Sequence, residues 1–366
     1  MKKLFSFFAF VAIVLTFAAC GGNDGNVPEV KGFTFEVQTL STKEYIKITA
    51  SDPNAYAYAR GYSYDGETVD DFRKDTENFL RNGTFQQLLN EKEIFQGSKN
   101  FSSSGMIPDT KYVFWACRVE EDPETREARI VGDIEYVIYK TMPEYTLNGE
   151  FSVSDTRRVH FSQANVKKEN SSADFTFFAN QMGYYDSYSF PQKDQFKWEE
   201  ISDLPSPWFV LSQQEWWYLF RGRNNAINRC AHARINGTNG LILLPDNWQA
   251  PDGIELHTDG ELGFVWDEEG HWYVQPTDDY NGYEQNPISV GQWEKLELAG
   301  AVFLPAAGSS RALAEYYGHY WSNTSNTESK AYMFQFYFYD IDMSTLWDQP
   351  VNQSTYIPIR PVREVK

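Results

Sequence analysis

Cysteine is nearly missing: Cys20, Cys117 and Cys230 are the only three in 366 residues. No Cys-x-x-Cys or similar ligand spacing occurs, which excludes the zinc-ribbon and dithiol redox classes. Cys117 and Cys230 fall in different halves among core-type residues and read as buried small hydrophobes rather than as a bridge. The five histidines, His160, His232, His257, His271 and His319, include no His-x-x-x-His pair that would set two imidazoles on one helix face. A Gly-x-Ser-x-Gly elbow, a phosphate-cradling Gly-Lys-Ser/Thr loop and a dinucleotide fingerprint are absent as well. Positive charge is scarce, with 32 basic against 51 acidic residues and a formal net charge of −19. No basic stripe offsets that balance, so nucleic acid is excluded as a partner. Past Cys20 no apolar run is long enough to span a bilayer.

What is present begins at the N-terminus. Lys2 and Lys3 precede an apolar run from Leu4 to Phe17, and the small residues Ala18 and Ala19 stand directly before Cys20. This order of charged, apolar and small residues marks 1–19 as a signal peptide rather than a transmembrane helix. The Cys immediately after the small residues resembles the lipobox of bacterial lipoproteins. That resemblance implies acylation of Cys20, and several acyl chains hold a protein to a membrane far better than one. Residues 20–27, polar and rich in Gly, form a flexible tether. Asp24 within it resembles the acidic signal that sends Bacteroidetes lipoproteins to the outer face of the outer membrane. The expected location is the outer membrane, lipid-anchored and exposed at the cell surface.

Residues 28–143 are strand-rich. "GFTFEVQTL", "YIKITASD", "AYAYARGYSY", "KYVFWACRVE" and "IEYVIYKTM" alternate with period two between Gly, Pro, Asp and Asn. Between Thr68 and Phe95 the period turns helical: Val69, Phe72, Phe79 and Leu80 share a face, Gly83 stops it, and "TFQQLLNEKEIF" continues as a second helical piece. This predicts a β-sandwich carrying a helical insertion. Pro108, Thr110 and Tyr112, a Pro-x-Thr-x-Tyr turn entering a late strand, resemble the fibronectin type III-like modules of Bacteroidetes surface lipoproteins. The resemblance implies a spacer role.

From Leu147 strands and short helices mix. Ser212 and Glu215 have capping-box spacing ahead of Trp216, Leu219 and Phe220; Ser289 and Gln292 repeat it ahead of Trp293, Leu296 and Leu298, and Gly300 ends that helix. The layout is α+β. In order come "FSVSDTRRVHFSQAN", "LSQQEWWYLF", "INGTNGLILLPDNW", "WEKLELAGAVFLPAAGSSR", "GHYWSNTSNTESKAYMFQF" and "IRPVREV". This series resembles the Fibrobacter succinogenes major paralogous domain over residues 147–366. It implies a C-type-lectin-like fold, distantly related to sulfatase-modifying enzymes, with recognition carried on loops over a rigid core. By that resemblance the ligand-binding residues are Arg311, Tyr316, Tyr317 and His319, then Trp347 and Tyr356, while Trp321, Phe303, Leu304 and Pro305 belong to the core. The fold class expected is thus all-β plus α+β: a fibronectin III/Ig-like sandwich followed by a C-type-lectin-like domain.

Little chemistry accompanies these residues. The Asp340 segment has acids at the first and third places of a calcium loop, but Thr345 stands where Gly is needed and Val351 where a bidentate Glu is needed. Calcium-dependent sugar lectins of the broader fold use a Glu-Pro-Asn or Gln-Pro-Asp and a Trp-Asn-Asp triplet; "QPT" at Gln275 and "DNW" at Asp246 meet neither. Cys230 alone leaves modifying-enzyme chemistry without its cysteine pair, and acidic pairs such as Glu199 with Glu200 or Asp278 with Asp279 read as solvated surface. The expectation is a surface binding protein for a glycan or protein ligand, with no cofactor, no metal and no catalysis. A structural or tip component of a surface assembly is the first alternative, and a modifying enzyme the second.

Overall fold

The computed structural model describes residues 32–168, 175–184, 196–266, 271–274, 280–309, 313–342, 350–355 and 357–365. The signal segment, the tether and Cys20 lie outside them. The described chain is mostly β, with several sheets and few helices. It divides into two compact units, Met1–Glu144 and Tyr145–Lys366. Among the described residues no helix is long and apolar enough to cross a membrane.

The first unit runs β1 (Phe33–Thr39), β2 (Lys43–Ala50), β3 (Tyr56–Ser63), α1 (Val69–Leu80), α2 (Phe85–Asn90), β4 (Ile94–Gln96), β5 (Lys99–Ser104), β6 (Lys111–Glu121) and β7 (Ala128–Lys140). Its strands pair antiparallel in two sheets, ordered β1-β2-β5 and β4-β3-β6-β7. Phe33, Ile46 and Ile48 of the first sheet meet Ala57, Phe114 and Ala116 of the second in one core. The opposite face of the second sheet is covered too, because α1 and α2 lay Phe72, Leu80, Phe85 and Leu88 on Val113, Trp115, Cys117 and Val119. Phe72 stacks on Trp115 at 4.9 Å, and the Trp115 Nε1–H donates to Thr76 Oγ1 at 3.0 Å. The helical insertion therefore forms a third layer, and β6 is buried on both sides.

Local chemistry explains the boundaries. Thr68 and Thr84 each accept from the backbone N–H three residues on, and Asp71 and Gln87 return the bond, so both helices start in capping boxes. The second helical piece is shorter than its sequence pattern: Lys92 takes φ +64, the helix stops at Asn90, and Ile94 opens an edge strand instead. At the entry to β6 the Tyr112 hydroxyl accepts from the Ile107 N–H at 3.0 Å, pinning the preceding turn.

The second unit contains β8 (Phe151–Ser152), β9 (Arg158–Phe161), β10 (Val166–Lys168), β11 (Phe175–Phe177), α3 (Gln213–Trp217), β12 (Cys230–Ile235), β13 (Thr238–Leu243), β14 (Val265–Trp266), β15 (His271–Tyr273), β16 (Pro287–Ile288), α4 (Val290–Leu298), β17 (Val302–Pro305), β18 (Tyr317–Ser325), β19 (Lys330–Tyr337), β20 (Asp340–Asp342), β21 (Val351–Asn352) and β22 (Val362–Glu364). A larger sheet orders β14-β15-β20-β19-β18, with β21 on β19; a smaller one orders β16-β12-β13-β17; and β22 pairs with β9 beside β8. Both expected capping boxes form, Ser212 with Glu215 on α3 and Ser289 with Gln292 on α4. Gly300, at φ +94, closes α4 where a side chain would be strained. Trp293 and Leu296 of α4 pack on Ala231, Ala233 and Phe303. Directly after α3 the chain makes a π-turn, Tyr218–Gly222.

Candidate functional site

The expected loop joins β17 to β18. Phe303 and Leu304 are fully buried, and beyond Pro305 the chain turns back through Glu315, whose φ is +72. The turn is tied at several points: the Glu315 N–H donates to the Ala306 carbonyl at 2.8 Å, Asn239 Nδ2 to the Glu315 carbonyl at 2.9 Å, and the Tyr283 hydroxyl to the Tyr316 carbonyl at 2.8 Å. With its backbone so held, the Tyr316 side chain stands 57% exposed. Tyr317, half-buried, stacks on Tyr337 across the β18–β19 pair at 4.3 Å and 14°, and Tyr337 meets Tyr339 at 4.8 Å. Burial, with the neighbouring phenols of Tyr317, Tyr339 and Tyr316, raises the Tyr337 pKa, which places these rings in one cluster. The result is a face of amphipathic rings on a rigid sheet edge, a composition suited to stacking and hydrogen bonding.

The structure corrects the reading of His319. It is 4% exposed, and its Nδ1 accepts from the Ser309 N–H at 3.0 Å while Gln335 bonds the ring as well. Gly318, His319 and Tyr320 are all buried, so this part of β18 is packed on both faces. A Cβ on Gly318 would lie 1.9 Å from the Phe336 ring, which explains the glycine. His319 therefore fastens the loop from inside and does not face solvent. Arg311, Trp347 and Tyr356, the other expected ligand residues, lie outside the described residues.

Burial pushes the His319 imidazole down to about 4, against about 6.5 in an unfolded chain. Between these values the unfolded state binds more protons than the folded one. Stability present above about pH 6.5 is therefore lost as pH falls toward about 4. Unfolding of the wild type and His319→Gln between about pH 7 and pH 4 should show the wild type losing of order 3 kcal/mol more than the variant. Equal pH slopes would refute the assignment.

A second grouping lies in the core. Asp259 Oδ1 accepts from the His232 N–H at 2.8 Å, its Oδ2 meets His232 Nδ1 at 3.0 Å, and the Cys230 thiol points at the same Oδ2 from 3.5 Å. His232 and Asp259 are fully buried, and Cys230 is 1% exposed. The thiol faces the acid rather than the imidazole, and burial pushes its pKa well up, the reverse of an activated nucleophile. These three side chains tie β12 to the segment around Asp259. Asp246 of the "DNW" triplet is likewise a tie, accepting from the Ser152 N–H at 2.7 Å and pairing with the buried Arg223. Glu200 caps the turn Trp198–Asp203 through the Lys197 N–H at 2.8 Å, so it is not free surface. Among the described residues no three His, Cys, Asp or Glu side chains converge as a metal site.

Sequence reasoning missed an open cleft of about 710 Å³ at the other end of β18. It is walled by Ser154 and Arg157 of the β8–β9 turn, Gln214, Trp217 and Tyr218 of α3 and its π-turn, and Asn323 of β18. Tyr317 and Asn323 are separated by about 20 Å at roughly 3.3 Å per residue. The available signal was the pair Trp216–Trp217: successive helical side chains diverge by about 100°, so a core-facing Trp216 turns Trp217 outward. Compared with protein-family models and with curated proteins, the chain matches none.

Proposed function

We propose that this is a lipid-anchored surface binding protein, held to the outer membrane through Cys20, with a fibronectin type III-like spacer and a C-type-lectin-like head that recognises a glycan or protein without catalysis. The two antiparallel sheets ordered β1-β2-β5 and β4-β3-β6-β7, with the Tyr112 hydroxyl tied back to Ile107 at the entry of a late strand, support the sandwich assignment. For the head, the carrying observation is the exposed Tyr316 beside the stacked Tyr317–Tyr337 pair, on a backbone tied by three separate partners. Rigid exposed tyrosines give large contact area at low entropy cost and dominate interface hot spots.

The test is binding of the full chain to glycan and matrix-protein arrays, with and without EDTA, beside the variant Arg311→Ala, Tyr316→Ala, Tyr317→Ala. Specific hits, indifferent to EDTA and reduced about tenfold or more in the variant, are expected. If the variant binds equally well, or the wild type binds nothing, recognition does not reside on this face and the assembly-component alternative takes its place.

A further inference from the structure

The cleft below β18 belongs to no part of that reading, and its chemistry is distinct. Its ionic groups are already answered. Arg157 contacts Glu215 through Nη1 and Glu364 through Nε at 2.8 Å; Glu215 also accepts from the Ser212 N–H at 2.7 Å; and Asp155 accepts from the Tyr218 hydroxyl at 2.9 Å. Arg157 is further held 4.4 Å over the Phe209 ring. A ligand anion would meet an arginine already engaged by two acids, Glu215 and Glu364. Of these acids only Glu215 lines the cleft, and both of its oxygens are engaged, one by Arg157 and one by the Ser212 N–H.

What the cleft's own wall leaves available is neutral; the cation Arg221 lies beyond it, over the Trp217 and Trp266 rings. Gln214 and Asn323 are exposed and Trp217 and Tyr218 half-buried along its wall. Asn323 already donates from Nδ2 to the Val210 carbonyl at 2.9 Å and accepts from Thr324 Oγ1 at 3.4 Å, so the Gln214 amide, with the second Asn323 N–H, stands beside aromatic surface. The aromatic surface also continues outward: the Arg221 guanidinium lies 5.9 Å from the Trp217 centroid and 4.9 Å from that of Trp266, next to Val265, which is 51% exposed. Trp217, Arg221 and Trp266 thus form a surface ribbon leading from the cleft. A pyranose matches this pattern, because its hydroxyls both donate and accept and its C–H face carries the partial positive charge that an aromatic face attracts. The volume falls within the roughly 300–1,000 Å³ of small-ligand sites, and the ribbon fits a chain rather than a single ring.

We infer that this cleft is a second binding site, for a neutral oligosaccharide running from Gln214 and Asn323 across Trp217 toward Trp266, and independent of the tyrosine face. The full chain is titrated with neutral hexasaccharides of several linkages, with uronate and sulfated oligosaccharides and with a Lys-rich peptide, following tryptophan fluorescence and heat. Neutral saccharides are expected to bind, with affinity falling about tenfold or more in Trp217→Ala. Gln214→Ala, at an exposed position, should weaken binding while leaving the melting temperature unchanged, which separates loss of site from loss of fold. The triple variant at Arg311, Tyr316 and Tyr317 should bind these saccharides as the wild type does. Failure of every neutral saccharide, retention only of acidic sugars or of the peptide, or unchanged binding in both Trp217→Ala and Gln214→Ala overturns the inference. Loss in the triple variant alone moves the sugar to the tyrosine face and sinks the cleft while the proposed function stands.

Discussion

Trp216→Ala is expected to destabilise the second unit by about 3–5 kcal/mol, the range for emptying a well-packed aromatic site. The indole is fully buried; it stacks on Phe334 at 4.9 Å and 12°, runs parallel to Phe220 at 6.4 Å, and meets Phe161 and Tyr320 at its edges. Its neighbours come from β9, β18, β19 and the π-turn, so no single element can relax into the space. The Nε1–H also leaves the Trp321 carbonyl, to which it donates at 3.4 Å. Urea unfolding followed by near-UV circular dichroism reads the loss directly, with the first unit's transition as an internal control, since two units need not melt together. Trp216→Phe should lose less than Trp216→Ala, because the stack with Phe334 survives. A shift below about 1 kcal/mol for Trp216→Ala would mean that the site is not packed as described.

Asp259→Ala is the second large effect, of about 2–5 kcal/mol, by a different route, since two buried donors are each left unsatisfied at a cost of about 1–3 kcal/mol. Here no large volume is emptied. Instead the His232 N–H and Nδ1–H lose their acceptor in a place closed by Phe264, stacked on the imidazole at 5.1 Å and 17°, and by Tyr283. Among the described residues His232 Nε2 has no hydrogen-bond partner, so none of them offers the ring a bond on its other side. Asp259→Asn keeps an acceptor for the His232 N–H and should fall between wild type and alanine. Chemical denaturation gives the ordering, and nitrogen shifts of the imidazole report whether the proton stays on Nδ1. Were alanine no worse than asparagine, the hydrogen bonds to His232 would carry none of the stability assigned to them.

Much of this architecture is legible in the residues. The alternating runs before Pro143 become β1, β2, β3, β6 and β7. The helix starts follow from Ser-x-x-Glu and Ser-x-x-Gln, and the Thr-x-x-Asp of α1 and Thr-x-x-Gln of α2 carry the same signal. The third layer of the first unit is harder to read, although the near-continuous apolar run from Tyr112 to Cys117 is what a strand covered on both faces requires. The site is less legible than the fold. His319 looks like a ligand-facing residue until Ser309, ten positions earlier in the chain, is found donating to it. Arg157 differs from Arg158 in what the fold brings to it, Glu215, Glu364 and the Phe209 ring, and no local pattern ties those positions together.

The pairing of β22 with β9 has a consequence for the order in which the molecule is made. Residues 357–364 bridge Phe196 and Phe209, receive the Trp321 N–H at the Pro358 carbonyl, bury Arg360 against Gln181 and complete the sheet begun by β8 and β9. Contacts spanning most of the unit therefore wait for its final stretch. In the first unit β1 to β7 pair among themselves and can close once β7 has emerged, whereas in the second β9, Phe196 and Phe209 receive these backbone partners only with residues 357–364. During that interval the tryptophans and phenylalanines around Trp216 are the surface a chaperone would need to shield.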